Sequence, residues 1–228
     1  LGGHSGQDID KERQNADLLM ARMIQRLLKE TKGQLVSFNG GTKDNAIPRE
    51  CEASLIYESD EEAAKAEELA CELAETYAEE LTPAEPDFSC EISCETNRTA
   101  EAIPQDAAKE FICAMRLAPN GIQKRNIKMD GFVVVSLNLG VVRTEEDRIV
   151  MIFSPRSSVA SLQEDTKERL NTLAETFGFT VSHSSEYPGW SFKEDSPVRE
   201  ICKESYKELF GEDLKIEAIH AGLECGLF

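Results

Sequence analysis

Four short constellations in this 228-residue chain carry side chains able to do chemistry. The first is Leu1-Gly2-Gly3-His4-Ser5-Gly6-Gln7-Asp8-Ile9, with Arg13 and Asn15 following. Adjacent glycines let a backbone approach something closely, and an imidazole between them on a turn is exposed and oriented rather than packed. A purely local turn accounts for the same pattern. The second, Gly40-Gly41-Thr42-Lys43-Asp44-Asn45-Ala46-Ile47-Pro48, delivers Asn45 just before a strand. Asparagine there also serves an ordinary turn. The third, Ser154-Pro155-Arg156-Ser157-Ser158, ends a hairpin strand. The forked donors of an arginine beside serines suit capture of a carboxylate, and a solvated strand end is the other reading. The fourth, His220-Ala221-Gly222-Leu223-Glu224-Cys225-Gly226, follows a strand-like run. Its backbone amides could hold an anion, or it is a tight turn.

Other chemistries find no support. The three histidines, His4, His183 and His220, form no HExxH or other i,i+4 ligand pair. GxSxG and GxxxxGK[ST] motifs are absent. The seven cysteines include no CxxC pair and read as reduced, buried thiols of a cytoplasmic protein. Cys90 and Cys94 could be half of a metal site, but without a second ligand pair core packing is the simpler reading. A formal net charge of −18 opposes binding to nucleic acid phosphates or anionic lipid. No apolar run reaches the roughly 18 residues that span a membrane. Hydrophobic residues at 40% and charged residues at 30% describe a globular chain.

The elements that must position these groups repeat. Asp8 to Lys32 reads as one helix, with Asp8 or Asp10 as cap and Gly33 as stop. Strands follow at Gln34 to Asn39 and Arg49 to Tyr57. An acidic helix at Asp60 to Glu80 buries Ala63, Ala66, Ala70, Leu73 and Tyr77, and a strand is expected at Phe88 to Thr96. The order then recurs: a helix over Gln105 to Leu117, a hairpin of Phe132 to Val142 with Arg148 to Ser154, a helix over Ser161 to Phe177 closed by Gly178, and a strand at Phe179 to Ser184. Phe38-Asn39-Gly40 parallels Leu137-Asn138-Leu139, as an internal repeat would. The fold class expected is α+β: doubled αββαβ units forming an antiparallel sheet with helices on one face. A helix over Ser196 to Phe210, with Pro197 in its first turn, and a strand at Leu214 to Ile219 stand outside the repeat as an αβ piece of another domain.

Taken in this order and at these separations, the four constellations resemble the Xaa-His (aminoacyl-histidine) dipeptidase branch of the co-catalytic zinc peptidases, a superfamily that includes carnosinases. Val135-Ser136-Leu137-Asn138-Leu139-Gly140-Val141-Val142 and Ser185-Glu186-Tyr187-Pro188-Gly189-Trp190 agree with it. The resemblance covers essentially the whole chain. It implies a lid domain interrupting a metal-binding catalytic domain. His4 would polarise the scissile carbonyl and stabilise the oxyanion, in its own or a dimer partner's site. Asn45 would orient substrate, Arg156 would bind the substrate's free carboxylate, and Gly222 with Glu224 would line that pocket. It further implies a hydrolase acting on dipeptides, two zinc ions in the intact enzyme, and a homodimer formed through the lid.

The family's metal ligands and general base fall outside these residues, so the chain is expected to be an internal piece that holds no catalytic zinc. The expected organisation is a junction at 1–8, a lid and dimerisation domain at 9–184 with halves at about 9–97 and 104–184, and a return into the catalytic domain at 185–228. The competing reading is a non-catalytic dimerisation or small-ligand-binding α+β module.

Overall fold

The computed structural model describes residues 1–96, 99–129, 131–184 and 195–221. Its organising strand is the apolar run that begins at Phe132. Among the described residues the strands are β1 (Gly3–His4), β2 (Gln34–Gly40), β3 (Ala46–Ile47), β4 (Cys51–Ile56), β5 (Gly121–Asn126), β6 (Phe132–Thr144) and β7 (Ile149–Ser157). The helices are α1 (Ala16–Glu30), α2 (Asp60–Leu81), α3 (Gln105–Leu117), α4 (Ala160–Phe177) and α5 (Pro197–Phe210).

Strand β6 pairs antiparallel with β7 along one edge. Its other edge takes β5 along the first half and β2 where Gly40 faces Val142. β4 pairs antiparallel with the far edge of β2. The four strands of the two halves therefore lie in the order β4-β2-β6-β7, outer-inner-inner-outer. The helices follow the same rule: α1 packs on α3, α2 on α1, and α4 on α3 and β7. Two copies of one helix-strand-strand-helix unit are thus joined antiparallel through their inner strands, an α+β layer of doubled units.

Helical spacing accounts for the shared core. Ala21, Ile24 and Leu27 of α1, Ala66, Ala70 and Tyr77 of α2, and Ala108, Phe111, Ile112 and Met115 of α3 fall on one helical face, at steps of three, four or two full turns. All are buried against Leu35, Phe38, Leu139 and Val142 of the two inner strands. The Phe38 and Phe111 rings meet edge to face at 5.4 Å across the sheet–helix interface. Ser59 caps α2 by accepting the Glu62 amide at 3.2 Å, and Asp60, Glu61 and Glu62 complement the positive helix end.

Several elements differ from expectation. The first helix starts at Ala16, not Asp8. Residues 9–11 form a separate 3-10 turn that ends at Glu12 with φ 55, a left-handed conformation that no α-helix continues through. Asn15 is the actual cap, its Oδ1 accepting from the amides of Asp17 and Leu18. At the other end the helix closes at Thr31, two residues before Gly33.

The strands expected at Phe88 to Thr96, Phe179 to Ser184 and Leu214 to Ile219 pair with nothing among the described residues. The alternation at Phe88, Cys90 and Ile92 is real, since all three pack against the main core. An extended segment can bury every second side chain without a ladder. β5 was not foreseen, because Gly-Ile-Gln-Lys-Arg-Asn is polar and alternates poorly. The thiols also differ: Cys71, Cys94 and Cys202 are exposed, while Cys51, Cys90 and Cys113 are partly buried. Helix α5 buries none of its residues.

A buried acid sits at the start of α1. Asp17 is fully buried, its carboxyl against Gly40 and Cys51. Neither oxygen meets a hydrogen-bond donor in good geometry. The neighbouring Cys51 thiol is a weak donor that offsets only part of the burial, which pushes the acid up to about 7. Asp17 therefore binds its proton more tightly in the fold than in the unfolded chain, where its ordinary value is 3.8. This group's contribution is fully present below about pH 4, falls as the pH rises to about 7, and is level above that. Asp17→Asn is expected to remove this slope. It should raise stability at pH 8 by on the order of 2 kcal/mol, roughly 5 °C in Tm, measured by thermal unfolding across pH 4 to 8.

Candidate functional site

The two-residue strand β1 pairs with β3, placing His4 opposite Ala46 and Gly3 opposite Ile47. This miniature ladder brings the opening turn and the loop carrying Asn45 together. The turn is locked from inside. Asp8 accepts the His4 amide at 2.8 Å, and the Asp8 amide donates to the His4 carbonyl at 2.9 Å. Asp8 also takes Lys11 Nζ at 2.6 Å. That hydrogen bond, followed by the one from the His4 amide, holds its carboxyl below the usual range.

The His4 ring is equally constrained. Its Nδ1 accepts the backbone N–H of Gly6 at 3.2 Å and of Gln7 at 3.1 Å. An acceptor at Nδ1 puts the proton on Nε2, making that atom an N–H donor. Burial, and next the positive Arg156, lower the imidazole's affinity for a second proton, against a smaller opposing effect of Asp8. The ring is thus a neutral donor of fixed tautomer.

The floor of the site is one face of β6 and β7. Side chains two apart on a strand share a face, and directly opposed residues on neighbouring strands do too. Ser136 and Asn138 lie on one face of β6, and Arg156 of β7 is directly opposite Ser136. Asn138, 1% exposed, donates from Nδ2 to the carbonyls of Asp44 at 3.2 Å and Ala46 at 2.8 Å. It clamps the residues on both sides of Asn45. Gly140 continues the face, and a side chain there would stand 2.4 Å from the Asp44 carbonyl. The loop carrying Asn45 lies directly on this strand because position 140 has no Cβ.

The closing constellation reaches the same place. His220 Nε2 is 2.7 Å from Ser136 Oγ. The Phe132 ring meets it edge to face at 6.3 Å. Burial, then the positive Arg156, push His220 down to about 4, so it is neutral at ordinary pH. A side chain on Gly6 would stand 2.2 Å from the His220 carbonyl. Opening and closing turns therefore touch.

Arg156 is the cation at the centre. Its Nε donates to Ser5 Oγ at 3.3 Å. Burial lowers its pKa, while the Asp44 carboxylate opposes the shift. His4, Asp44, Asn45, Arg156 and His220 line one open cavity. Three of the predicted site residues, His4, Asn45 and Arg156, are thus brought together, whereas Gly222 and Glu224 lie outside the described residues, as does the 185–190 segment. Ser5, Ser136 and Asn138 were not singled out as site residues. The signal for two of them was the polar Ser136 and Asn138 alternating with Leu137 and Leu139 inside an apolar run. Among the described residues no group of three or more His, Cys, Asp or Glu side chains could hold a metal ion. The metal chemistry implied by the resemblance does not fit these residues, and no step is assigned to it.

The site thus sets an imidazole donor of fixed tautomer beside a half-buried arginine on one doubled α+β layer. Residues 2–85 match the peptidase dimerisation domain. Over its whole length the chain is 33% identical to the cytosol non-specific dipeptidase of Escherichia coli (strain K12), of which it covers 46%. Its fold matches the crystal structure of the aminoacylhistidine dipeptidase from Vibrio alginolyticus with a TM-score of 0.86 and 35% identity, covering all of this chain and 46% of that one. The chain spans about half the length of these relatives. The similarity to both runs over the whole of this chain.

Proposed function

We propose that this chain is the lid and substrate-recognition part of a metallodipeptidase, cleaving dipeptides of the Xaa-His type. The observation that carries the reading is the convergence of the tautomer-fixed His4 and the half-buried Arg156 on one cavity. Arg156 holds the substrate's terminal carboxylate. Asn45, presented by the Asn138 clamp, orients the peptide. His4 Nε2–H donates to the scissile carbonyl oxygen as it gains negative charge. A carboxylate anchor near the carbonyl donor sets substrate length and favours dipeptides over longer chains.

In this reading residues 9–184 are the lid and dimerisation domain, in halves at about 9–97 and 104–184. Residues 1–8 and 185–228 join it to a catalytic part, which holds the two zinc ions the resemblance implies. Gly222 and Glu224 complete the carboxylate pocket. The protein works as a cytoplasmic homodimer through the lid. The match to a dimerisation domain supports that pairing.

The test is turnover of the full-length protein on three substrates: a free Xaa-His dipeptide, the same dipeptide amidated at its C-terminus, and a tetrapeptide. The free dipeptide should exceed both others in kcat/KM by at least tenfold. Equal rates on all three would refute the length-setting role of the carboxylate, and no hydrolysis of any would refute the reading.

A further inference from the structure

We propose that Ser5 is a positioning residue for the substrate carboxylate, aligning Arg156 and coupling it to the His4 turn and the Asn45 loop. The inference rests on the dipeptidase reading. Ser5 is fully buried, yet it is neither apolar nor part of a helix or strand. Its backbone N–H donates to the Asn45 carbonyl at 2.9 Å. Its hydroxyl oxygen accepts Nε–H of Arg156 at 3.3 Å. One residue therefore touches two of the three converging site segments and adjoins His4 in the chain.

The geometry matters because a guanidinium is planar. Its five N–H donors form a fixed fork, and fixing Nε fixes the plane. With Nε held by a serine, the two terminal nitrogens are those left to meet a carboxylate, and a carboxylate takes them in pairs. The hydroxyl suits the role because it is neutral. A carboxylate at position 5 would neutralise the cation and compete with substrate, whereas a serine orients Arg156 and leaves its charge available. Ser5 itself is fully buried, so its hydroxyl is held for Arg156 rather than for solvent. The turn that fixes the His4 tautomer, through Gly6 and Gln7, begins at the next residue, so carboxylate anchor and carbonyl donor are held at one separation.

The test is a substitution cycle in the full-length protein, with Ser5→Ala, Arg156→Ala, the double variant, and Ser5→Cys as an isosteric variant keeping a weak acceptor. Ser5→Ala should raise KM for a free dipeptide roughly tenfold, with kcat changed less than threefold. It should have no effect on the amidated dipeptide and no further effect in the Arg156→Ala background. Ser5→Cys should fall between wild type and Ser5→Ala. Independently of activity, the Arg156 Nε–H resonance of the wild type should exchange with solvent more slowly than those of exposed arginines, and Ser5→Ala should abolish that protection.

Equal losses on free and amidated dipeptides would overturn the proposal, as would additivity with Arg156→Ala or an unprotected Nε–H in the wild type. If the wild type hydrolyses no dipeptide, the functional reading fails and takes this one with it. That outcome differs from an active wild type in which Arg156→Ala acts and Ser5→Ala does not.

Discussion

Replacing Arg156 with alanine in the full-length protein should raise KM for free dipeptides by roughly 30- to 1000-fold while changing kcat only a few-fold. The size follows from the interaction removed. Charge-assisted hydrogen bonds contribute about 1.5–3 kcal/mol each, and truncation leaves the substrate's carboxylate desolvated without its partner. A loss of about 2–4 kcal/mol corresponds to that range at about 1.4 kcal/mol per tenfold. The effect falls on KM because the carboxylate carries the same charge in ground and transition states. An interaction equally strong in both changes binding and not turnover.

Two controls sharpen the Arg156 result. The amidated dipeptide should be processed equally by wild type and Arg156→Ala, since it has no charge for the arginine to meet. Arg156→Lys should recover only part of the loss. An ammonium has no Nε to dock on Ser5 and no fork. Steady-state kinetics on matched free and amidated substrates decides the matter, and a kcat loss matching the KM change would move Arg156 out of the binding role.

The parts of this site differ in how far the sequence disclosed them, and the reason is physical. Local signals were readable: α3 runs over Gln105–Leu117, and β6 and β7 form the hairpin across Thr144 to Asp147. Helical periodicity and a polar turn are written within a few residues. The repeat was visible for the same reason, since both halves share a helix-strand-strand-helix frame, into which the second half inserts the unforeseen β5. What could not be read was pairing across distance. Phe88, Cys90 and Ile92 alternate as a strand would, but alternation records only burial on one side. A ladder also needs a neighbour, which no local pattern names. The first helix was drawn too long because one residue, Glu12, leaves the helical region, and glutamate is ordinarily a good helix former.

The same distinction applies within the site. His4, Asn45 and Arg156 stand in motifs that catch attention residue by residue. Ser5, Ser136 and Asn138 do their work through partners 84 to 151 residues away in the chain. A serine inside a glycine turn reads as a small turn residue until the fold places an arginine on it. Asn138 is the more instructive case. An asparagine in the middle of an apolar strand conflicts with the pattern around it, and the conflict resolves in the loop it clamps. Its Oδ1 meets no hydrogen-bond partner, so the two bonds from Nδ2 to Asp44 and Ala46 account for its place there.

Replacing His4 with alanine should have the opposite kinetic signature to Arg156: kcat down by on the order of 100- to 1000-fold, with KM for free dipeptides changed only a few-fold. A scissile carbonyl oxygen is weakly basic in the bound peptide and becomes an oxyanion as the tetrahedral species forms, so a donor aimed at it gains strength only on the way to the transition state. Loss of one such donor costs about 2.7–4 kcal/mol, enough for that decrease. The fixed tautomer makes the prediction specific. Because Gly6 and Gln7 donate into Nδ1, the donor must be Nε2. A second proton would sit on Nδ1 and expel both amides from it, opening the turn. Burial and Arg156 hold the ring's pKa below its ordinary 6.5. The His4-dependent part of kcat should therefore persist through neutral pH and fall only when the pH drops below that lowered value. His4→Gln, whose amide N–H can donate but does not titrate, should retain part of the rate and lose that acid limb. A His4→Ala variant with unchanged kcat and raised KM would mean the imidazole merely helps to hold substrate.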